Sequence, residues 1–95
     1  MGVLPMTIRE ISRQLHSLSV GGYFNRQKVS AAWLEHYISN MFRVGCPSLI
    51  MEVALPDGWW YFKITKYPGG FDYFIPESRK QEARLKAEIF GNSAS

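Results

Sequence analysis

The chain has little cysteine and no long apolar run. Cys46 is its only cysteine, so no disulfide can form within the chain, and a reducing cytoplasm is the expected compartment. No window approaches the roughly 18 apolar residues of a membrane span, and the start, "MGVLPM", lacks the regions of a signal peptide. The 95 residues suffice for one domain, 1–95, whose ends, 1–5 and 92–95, are expected to be flexible.

The residue patterns of enzymes and metal sites are also missing. His16 and His36 are not at ligand spacing, and no second cluster of ligands accompanies them. Gly69 and Gly70 stand between two predicted strands rather than between a strand and a helix, so they do not indicate a phosphate-binding loop. We therefore expect a non-catalytic binding protein without a metal or a cofactor.

The positive charge is concentrated in the first half of the chain. The net charge is +3 and the pI about 9.2. Residues 1–45 carry five basic and two acidic side chains, whereas residues 46–95 carry six of each. This mildly basic balance is compatible with nucleic-acid binding and equally with an ordinary solvated surface.

Two helices are predicted in the first half. Thr7 begins the capping box "TIRE", which opens a helix over 7–20 with one apolar stripe. Asn25 is a suitable N-cap for a longer helix over 26–44, whose apolar residues recur every three to four positions. The breadth of that apolar face predicts a central place in the core.

From Ser48 the apolar pattern changes to period two, which is typical of strands. The turn signals "PDG" and "PGG" separate three strands, 48–55, 59–67 and 71–75. A capping box of Ser78 and Gln81 then opens a third helix through Phe90. The predicted fold is α+β in the order α-α-β-β-β-α, a three-stranded antiparallel meander with its helices packed mainly on one face.

Residues 59–74, "WWYFKITKYPGGFDYF", contain eight aromatic side chains. Alternation along the second strand places three of them on one face, Trp59, Tyr61 and Tyr67. If helices two and three cover the opposite face and helix one covers this one, the three rings are core. If this face stays open, the rings beside Lys63 and Lys66 suit a protein partner or base stacking. The third strand, 71–75, also offers an edge for pairing into a homodimer.

From residue 31 to residue 90 the predicted order α-β-β-β-α resembles that of a double-stranded RNA-binding domain. "AAWLEHYISNMFRVGCPSLIMEV" resembles its first helix and strand, "YFKITKY" its second strand, and "ESRKQEARLKAEIF" the start of its last helix. In that family a Ser-Lys-Lys-x-Ala-Lys run contacts phosphates across the RNA major groove. The resemblance implies duplex RNA as the partner, bound by Ser78, Arg79, Lys80, Gln81 and Arg84. Glu77 and Glu82 lie near this run and are expected to repel phosphate.

A winged helix-turn-helix is the other nucleic-acid hypothesis. Helix one, the "GGYF" turn and helix two would form the helical pair, and the strands over 49–67 would form the wing. The start of the recognition helix would then carry four polar residues that can reach DNA bases, Arg26, Gln27, Lys28 and Ser30. Duplex RNA, duplex DNA and a protein partner therefore all remain open from the sequence.

Overall fold

The computed structural model describes residues 5–91, which form three helices and five strands. In chain order the elements are α1 Ile8–Leu18, β1 Tyr23–Phe24, β2 Gln27–Lys28, α2 Ala31–Arg43, β3 Ser48–Leu55, β4 Gly58–Tyr67, β5 Gly70–Phe74 and α3 Arg79–Phe90. Within this described part, none of the helices is long and apolar enough to cross a bilayer. The chain ends expected to be flexible lie outside the described residues, apart from Pro5.

The strands form one antiparallel sheet in the order β2-β1-β3-β4-β5. The predicted α+β class and the meander of β3, β4 and β5 are confirmed. Two-residue turns, Pro56–Asp57 and Pro68–Gly69, connect the meander at the places that the sequence indicates. The strand count is five rather than three, because β1 falls in the "GGYF" turn and β2 in the segment predicted to begin the second helix.

One face of the sheet, called the inner face, carries the core. Its centre consists of three direct cross-strand pairs of buried residues, Leu49–Ile64, Met51–Phe62 and Val53–Trp60. α1 and α2 cover this face with five further buried side chains, Ile11, Leu15, Leu34, Ile38 and Phe42. Burying such side chains stabilises a fold by about 1.5–3 kcal/mol each, so this layer supplies most of the folding free energy.

The opposite, outer face is only partly covered, and α3 lies against it. Leu85 is the only hydrophobic residue of α3 that is buried, at 3% exposure. The helices pack mainly on one face, as predicted, but the pair that shares it is α1 and α2. The alternative in which helices two and three share a face is not formed, because α3 lies on the other. The reason is that α1 and α2 each present a continuous apolar stripe, whereas α3 has a single buried apolar anchor.

α1 forms where the sequence predicts it. The Glu10 amide donates to Thr7 Oγ1 at 3.0 Å and the Thr7 amide donates to Glu10 Oε1 at 2.8 Å, which completes the capping box. Ile11 and Leu15 are fully buried. The helix ends at Leu18, slightly before the predicted residue 20.

A tight hairpin, β1–β2, replaces the predicted start of the second helix. Asn25 and Arg26 have φ of 49° and 67°, the left-handed pair that a two-residue hairpin turn of type I′ requires. Asparagine tolerates that conformation better than most residues. Asn25 attaches the hairpin to β3: its amide donates to the Glu52 carbonyl at 3.0 Å, and its Oδ1 accepts from the Glu52 amide at 2.8 Å.

The second helix begins at Ala31 instead. Ser30 is its N-cap, and the Ser30 hydroxyl accepts from the Trp33 amide at 3.0 Å. The residues assigned to the start of a recognition helix are thus hairpin and cap residues, namely Arg26, Gln27, Lys28 and Ser30. A helix-turn-helix that presents them from a helix start is not formed.

The edge of β5 is paired with the start of the chain. Met6 and Phe71 exchange backbone hydrogen bonds of 2.7 and 2.8 Å, and the Tyr73 amide donates to the carboxylate of Asp72 at 2.8 Å. A side chain at Gly70 would bring its Cβ to 2.7 Å from Pro5 Cβ, so glycine permits this approach. The edge on which the homodimer hypothesis rests is therefore already bonded at two residues.

We expect Gly22→Ala to destabilise the protein by about 2–3 kcal/mol, against about 1–2 kcal/mol for Gly69→Ala. Both residues have positive φ, 78° and 92°, so both substitutions strain the backbone. An added Cβ at Gly22 would also lie 2.9 Å from the Val29 carbonyl oxygen, whereas nothing lies within 4 Å at Gly69. Urea unfolding of both variants checks this prediction, and equal losses would contradict it.

Candidate nucleic-acid interface

Ser78 and Gln81 are used to begin α3. Ser78 Oγ accepts from the Gln81 amide at 3.2 Å, as its predicted role as N-cap requires. Gln81 Oε1 accepts from the amide of Glu77 at 2.9 Å, one residue earlier than a capping box would place it. Both side chains therefore satisfy amides at the helix start, which is a structural role.

Arg79 is engaged by the sheet and does not project freely from the helix. Its Nη1 donates to the Trp59 carbonyl at 2.9 Å and to Glu82 Oε1 at 2.8 Å. Its guanidinium carbon also lies 3.7 Å from the centre of the Trp60 ring. An arginine with these partners would have to give them up before it could bind a phosphate.

Glu82 completes the same arrangement from one turn further along. Its Oε2 accepts from the Tyr61 amide at 2.9 Å, and the residue is only 5% exposed. Burial raises the pKa of this carboxyl, but the hydrogen bond from Tyr61 and the Arg79 guanidinium outweigh burial, so its pKa lies below the ordinary value. The carboxylate expected to repel phosphate is thus neutralised and withdrawn from solvent.

Together, Arg79 and Glu82 form what we call the β4 clamp. β5 ends at Phe74, opposite Lys63, and the buried Pro76 cannot donate a backbone hydrogen bond to extend the ladder. Beyond this point, the side of β4 that faces away from β3 has no strand beside it. The Trp59 carbonyl and the Tyr61 amide on that side would therefore be unpaired. The clamp supplies a donor to the first and an acceptor to the second, as a neighbouring strand would. The sequence analysis did not predict that Glu82 would bind the edge of β4. The signal that could have indicated this is an Arg–Glu pair at i, i+3 in a helix that follows a strand-ending proline.

The two lysines of β4 do not join the α3 residues in one site. Lys63 lies on the outer face and forms a salt bridge of 2.8 Å with Glu88. Lys66 is exposed, pairs with Phe71 and therefore projects on the inner-face side, near the far end of the strand. Of the predicted cations, only Lys80 and Arg84 remain exposed on α3 without a salt bridge within the described residues.

The side of α3 that faces solvent has a simple composition. Because Glu82 and Leu85 face the sheet, the helical period turns four exposed residues outward, and we call them the α3 ridge: Lys80, Ala83, Arg84 and Ala87. Lys80 and Arg84 are one turn apart, with no acidic residue between them on this side. Arg84 also lines a shallow groove of about 400 Å³ between α3 and the outer face.

The outer-face aromatics do not form a continuous exposed patch. Trp59 is half-buried with the guanidinium carbon of Arg26 4.4 Å from its ring centre. Tyr61 packs edge-on against Phe90, with ring centres 6.4 Å apart. Tyr67 is 49% exposed, but it lies at the other end of β4. Two of the three residues predicted to anchor a protein partner are therefore already covered by the chain's own side chains.

Comparison with protein-family models, with curated proteins and with solved structures yields no match for this chain. In residues 5–91, no three histidine, cysteine, aspartate or glutamate side chains come together as a metal site would require. The function is therefore inferred from the local geometry of the exposed surface.

Proposed function

We propose that this protein is a non-catalytic nucleic-acid-binding module that docks the α3 ridge on the phosphates of a duplex. One observation carries the proposal: the solvent side of α3 presents Lys80 and Arg84 together with two small residues, Ala83 and Ala87. Cations on a helix attract the polyanionic backbone. Alanines let the backbone approach closely, because they add little volume above the helix surface.

The charge balance around the ridge supports the same function. The two acidic residues of α3 are both engaged, Glu82 in the β4 clamp and Glu88 with Lys63. Their charges therefore oppose an incoming phosphate less than the sequence alone indicates. Glu77 is the remaining acidic residue near the helix start, and it lies before the N-cap rather than on the ridge.

Duplex RNA is the first candidate ligand, because the run from Ser78 to Arg84 resembles the phosphate-binding helix start of double-stranded RNA-binding domains. Contacts confined to phosphates read the shape of a duplex rather than its base sequence. We accordingly expect sequence-independent, salt-sensitive binding, and we place this activity in the cytoplasm, where the half-buried Cys46 stays reduced.

Lys80→Ala and Arg84→Ala should each weaken binding at every duplex sequence and each lower the salt slope of log K by roughly 1. Fluorescence anisotropy with labelled duplex RNA, duplex DNA and single-stranded RNA over a salt series measures both quantities. Ala83→Glu, which adds a carboxylate between the two cations, should weaken binding as well. Tighter binding to duplex DNA than to duplex RNA would retain the α3 ridge as the proposed site, with DNA instead of RNA as the ligand.

Lys66→Ala is the matched control, because it removes one exposed positive charge on the other side of the sheet. It should leave the affinity and the salt slope nearly unchanged. If Lys66→Ala weakens binding as much as Lys80→Ala does, the effect is one of net charge and the ridge is not the site. Absence of salt-dependent binding to all three ligands would reject the proposed function.

A further inference from the structure

Most backbone edges of this sheet are covered. The edge of β5 is bonded to Met6 and to the side chain of Asp72, and the free part of the β4 edge is bonded to the β4 clamp. Proteins commonly block strand edges in this way, since an unpaired edge is a template for another strand. Within the described residues two stretches are exceptions: the outer edge of β2, which has only two residues, and one segment of β3.

The C-terminal half of β3, residues 52–55, is covered by the hairpin and by the segment before it. Asn25 and Glu52 exchange two hydrogen bonds, and the Val20 amide donates to the Ala54 carbonyl at 2.7 Å. The only pairing of β1 with β3 is Phe24 with Val53, because the chain turns back at Arg26. The cover therefore stops at Glu52.

The N-terminal half of β3, residues 48–51, has no neighbouring strand on the side that faces away from β4. In an antiparallel ladder, residues two apart direct their amides and carbonyls to the same side. The amide and carbonyl of Ile50 therefore point the same way as those of Glu52, away from β4. Within residues 5–91 no group forms a hydrogen bond with either of them. We call this segment, Ser48–Met51, the β3 window.

Apolar side chains of α2 lie beside the β3 window. Glu35 marks the flank of α2 that faces α1, through its 3.4 Å salt bridge with Arg9. Trp33 and Tyr37 are on the opposite flank, with parallel rings 5.1 Å apart, and Trp33 is 43% exposed. α1 contacts β5 and α2 contacts β3, so the flank of α2 that faces away from α1 lies toward the free edge of β3. Val44, which follows α2 and is 75% exposed, stands shortly before the start of the window.

We propose that the β3 window docks an extended peptide segment of a partner protein, which adds to the sheet as a further strand. The unpaired amide and carbonyl of Ile50 supply main-chain recognition, and alternate side chains of the peptide would pack on Tyr37 and Val44. An apolar residue at every second position is therefore the expected character of the segment. This binding is independent of the α3 ridge, which lies on the other face of the sheet.

The size of the window favours a peptide over a second copy of the chain. Four residues span about 13 Å, which permits only a few strand hydrogen bonds. The hairpin tip at Asn25–Arg26 closes the C-terminal end of the window. A second copy would bring its own hairpin to the same level, which shortens the shared segment further. Stable dimers need a far larger contact than this, whereas a short linear segment fits the available length.

Amide hydrogen exchange tests the window in the free protein. Under monomeric conditions, the Ile50 amide should exchange far faster than the amides of Met51 and Glu52, which are bonded to β4 and to Asn25. Slow exchange at Ile50 in the monomer would overturn the proposal, because the edge would then be covered. A dimer that protects Ile50 and loses that protection on dilution would equally overturn it, in favour of self-association.

A displayed library of random linear peptides, selected on the immobilised full chain, then tests the occupant. Selected peptides should slow exchange at Ile50 and bind Ile50→Pro at least about tenfold more weakly, since proline removes the donor. Val44→Lys should also weaken them, with Val20→Lys as control, because Val20 is exposed beside the half of β3 that is already covered. Val44→Lys keeps the test decisive if Ile50→Pro misfolds. Selection of no peptide that protects Ile50 would overturn the proposal.

Discussion

Phe24→Ala should lower the free energy of unfolding by about 3–5 kcal/mol, the range for removing a buried aromatic ring. Phe24 is 1% exposed although its strand has only two residues. Its ring packs edge-on against Phe62 at 6.1 Å and lies 6.3 Å from the imidazole of His16. The hairpin therefore inserts one large side chain into the core, and a cavity at this site would affect α1 and β4 together.

Tyr23→Ala is the matched control for this prediction. Tyr23 is the neighbouring residue on the same strand, but it points to the opposite side and is 41% exposed. We expect its loss to change stability by less than about 1 kcal/mol. Urea unfolding followed by circular dichroism measures both variants. Equal effects of the two substitutions would contradict the placement of Phe24 in a core-facing hairpin strand, where the sequence predicts a turn between two helices.

Glu82→Ala is expected to cost about 2–4 kcal/mol. The substitution removes a charge-assisted bond to the Tyr61 amide, worth about 1.5–3 kcal/mol, and leaves Arg79 without its carboxylate partner. The acceptor lies at an otherwise unpaired strand edge, so no described neighbour can replace it. Glu88→Ala is the comparison, since it breaks the more exposed salt bridge with Lys63 and should cost less than about 1 kcal/mol.

The same carboxylate gives stability a dependence on pH. Because the pKa of Glu82 is lower in the folded protein than its ordinary value of 4.5, its stabilising contribution is fully present above pH 4.5. It is lost as the pH falls below that value through the folded pKa. The stability difference between the wild type and Glu82→Ala should therefore shrink in acid. A difference that stays constant from neutral pH to well below pH 4.5 would show that the clamp does not hold a carboxylate.

Several elements followed from local sequence signals. The capping box at Thr7, the alternation from Ser48 and the turn signals at 56–58 and 68–70 each depend on neighbours a few residues apart, and the structure has α1 and the meander where these signals place them. Ser78 begins α3 for the same reason. Local chemistry of this kind does not need the rest of the fold.

The hairpin was missed because two local signals compete over the same residues. Asn25 is a good helix N-cap and also a good first residue of a type I′ turn. The choice between them depends on Phe24, which is buried only if the chain turns back beside Glu52, 27 residues after Asn25. A preference decided by a distant packing partner cannot be read from the residues next to it.

For the candidate site, the sequence by itself determined the charges of α3 and the periodicity that places Lys80 and Arg84 on one side. Only the tertiary structure decided which of its charged residues remain available. Arg79 and Glu82 satisfy the open edge of β4, Glu88 pairs with Lys63, and the unpaired edge at Ile50 arises because the hairpin covers only half of β3. The physical reason is that periodicity is a property of one element, whereas partners and open edges depend on how separate elements meet.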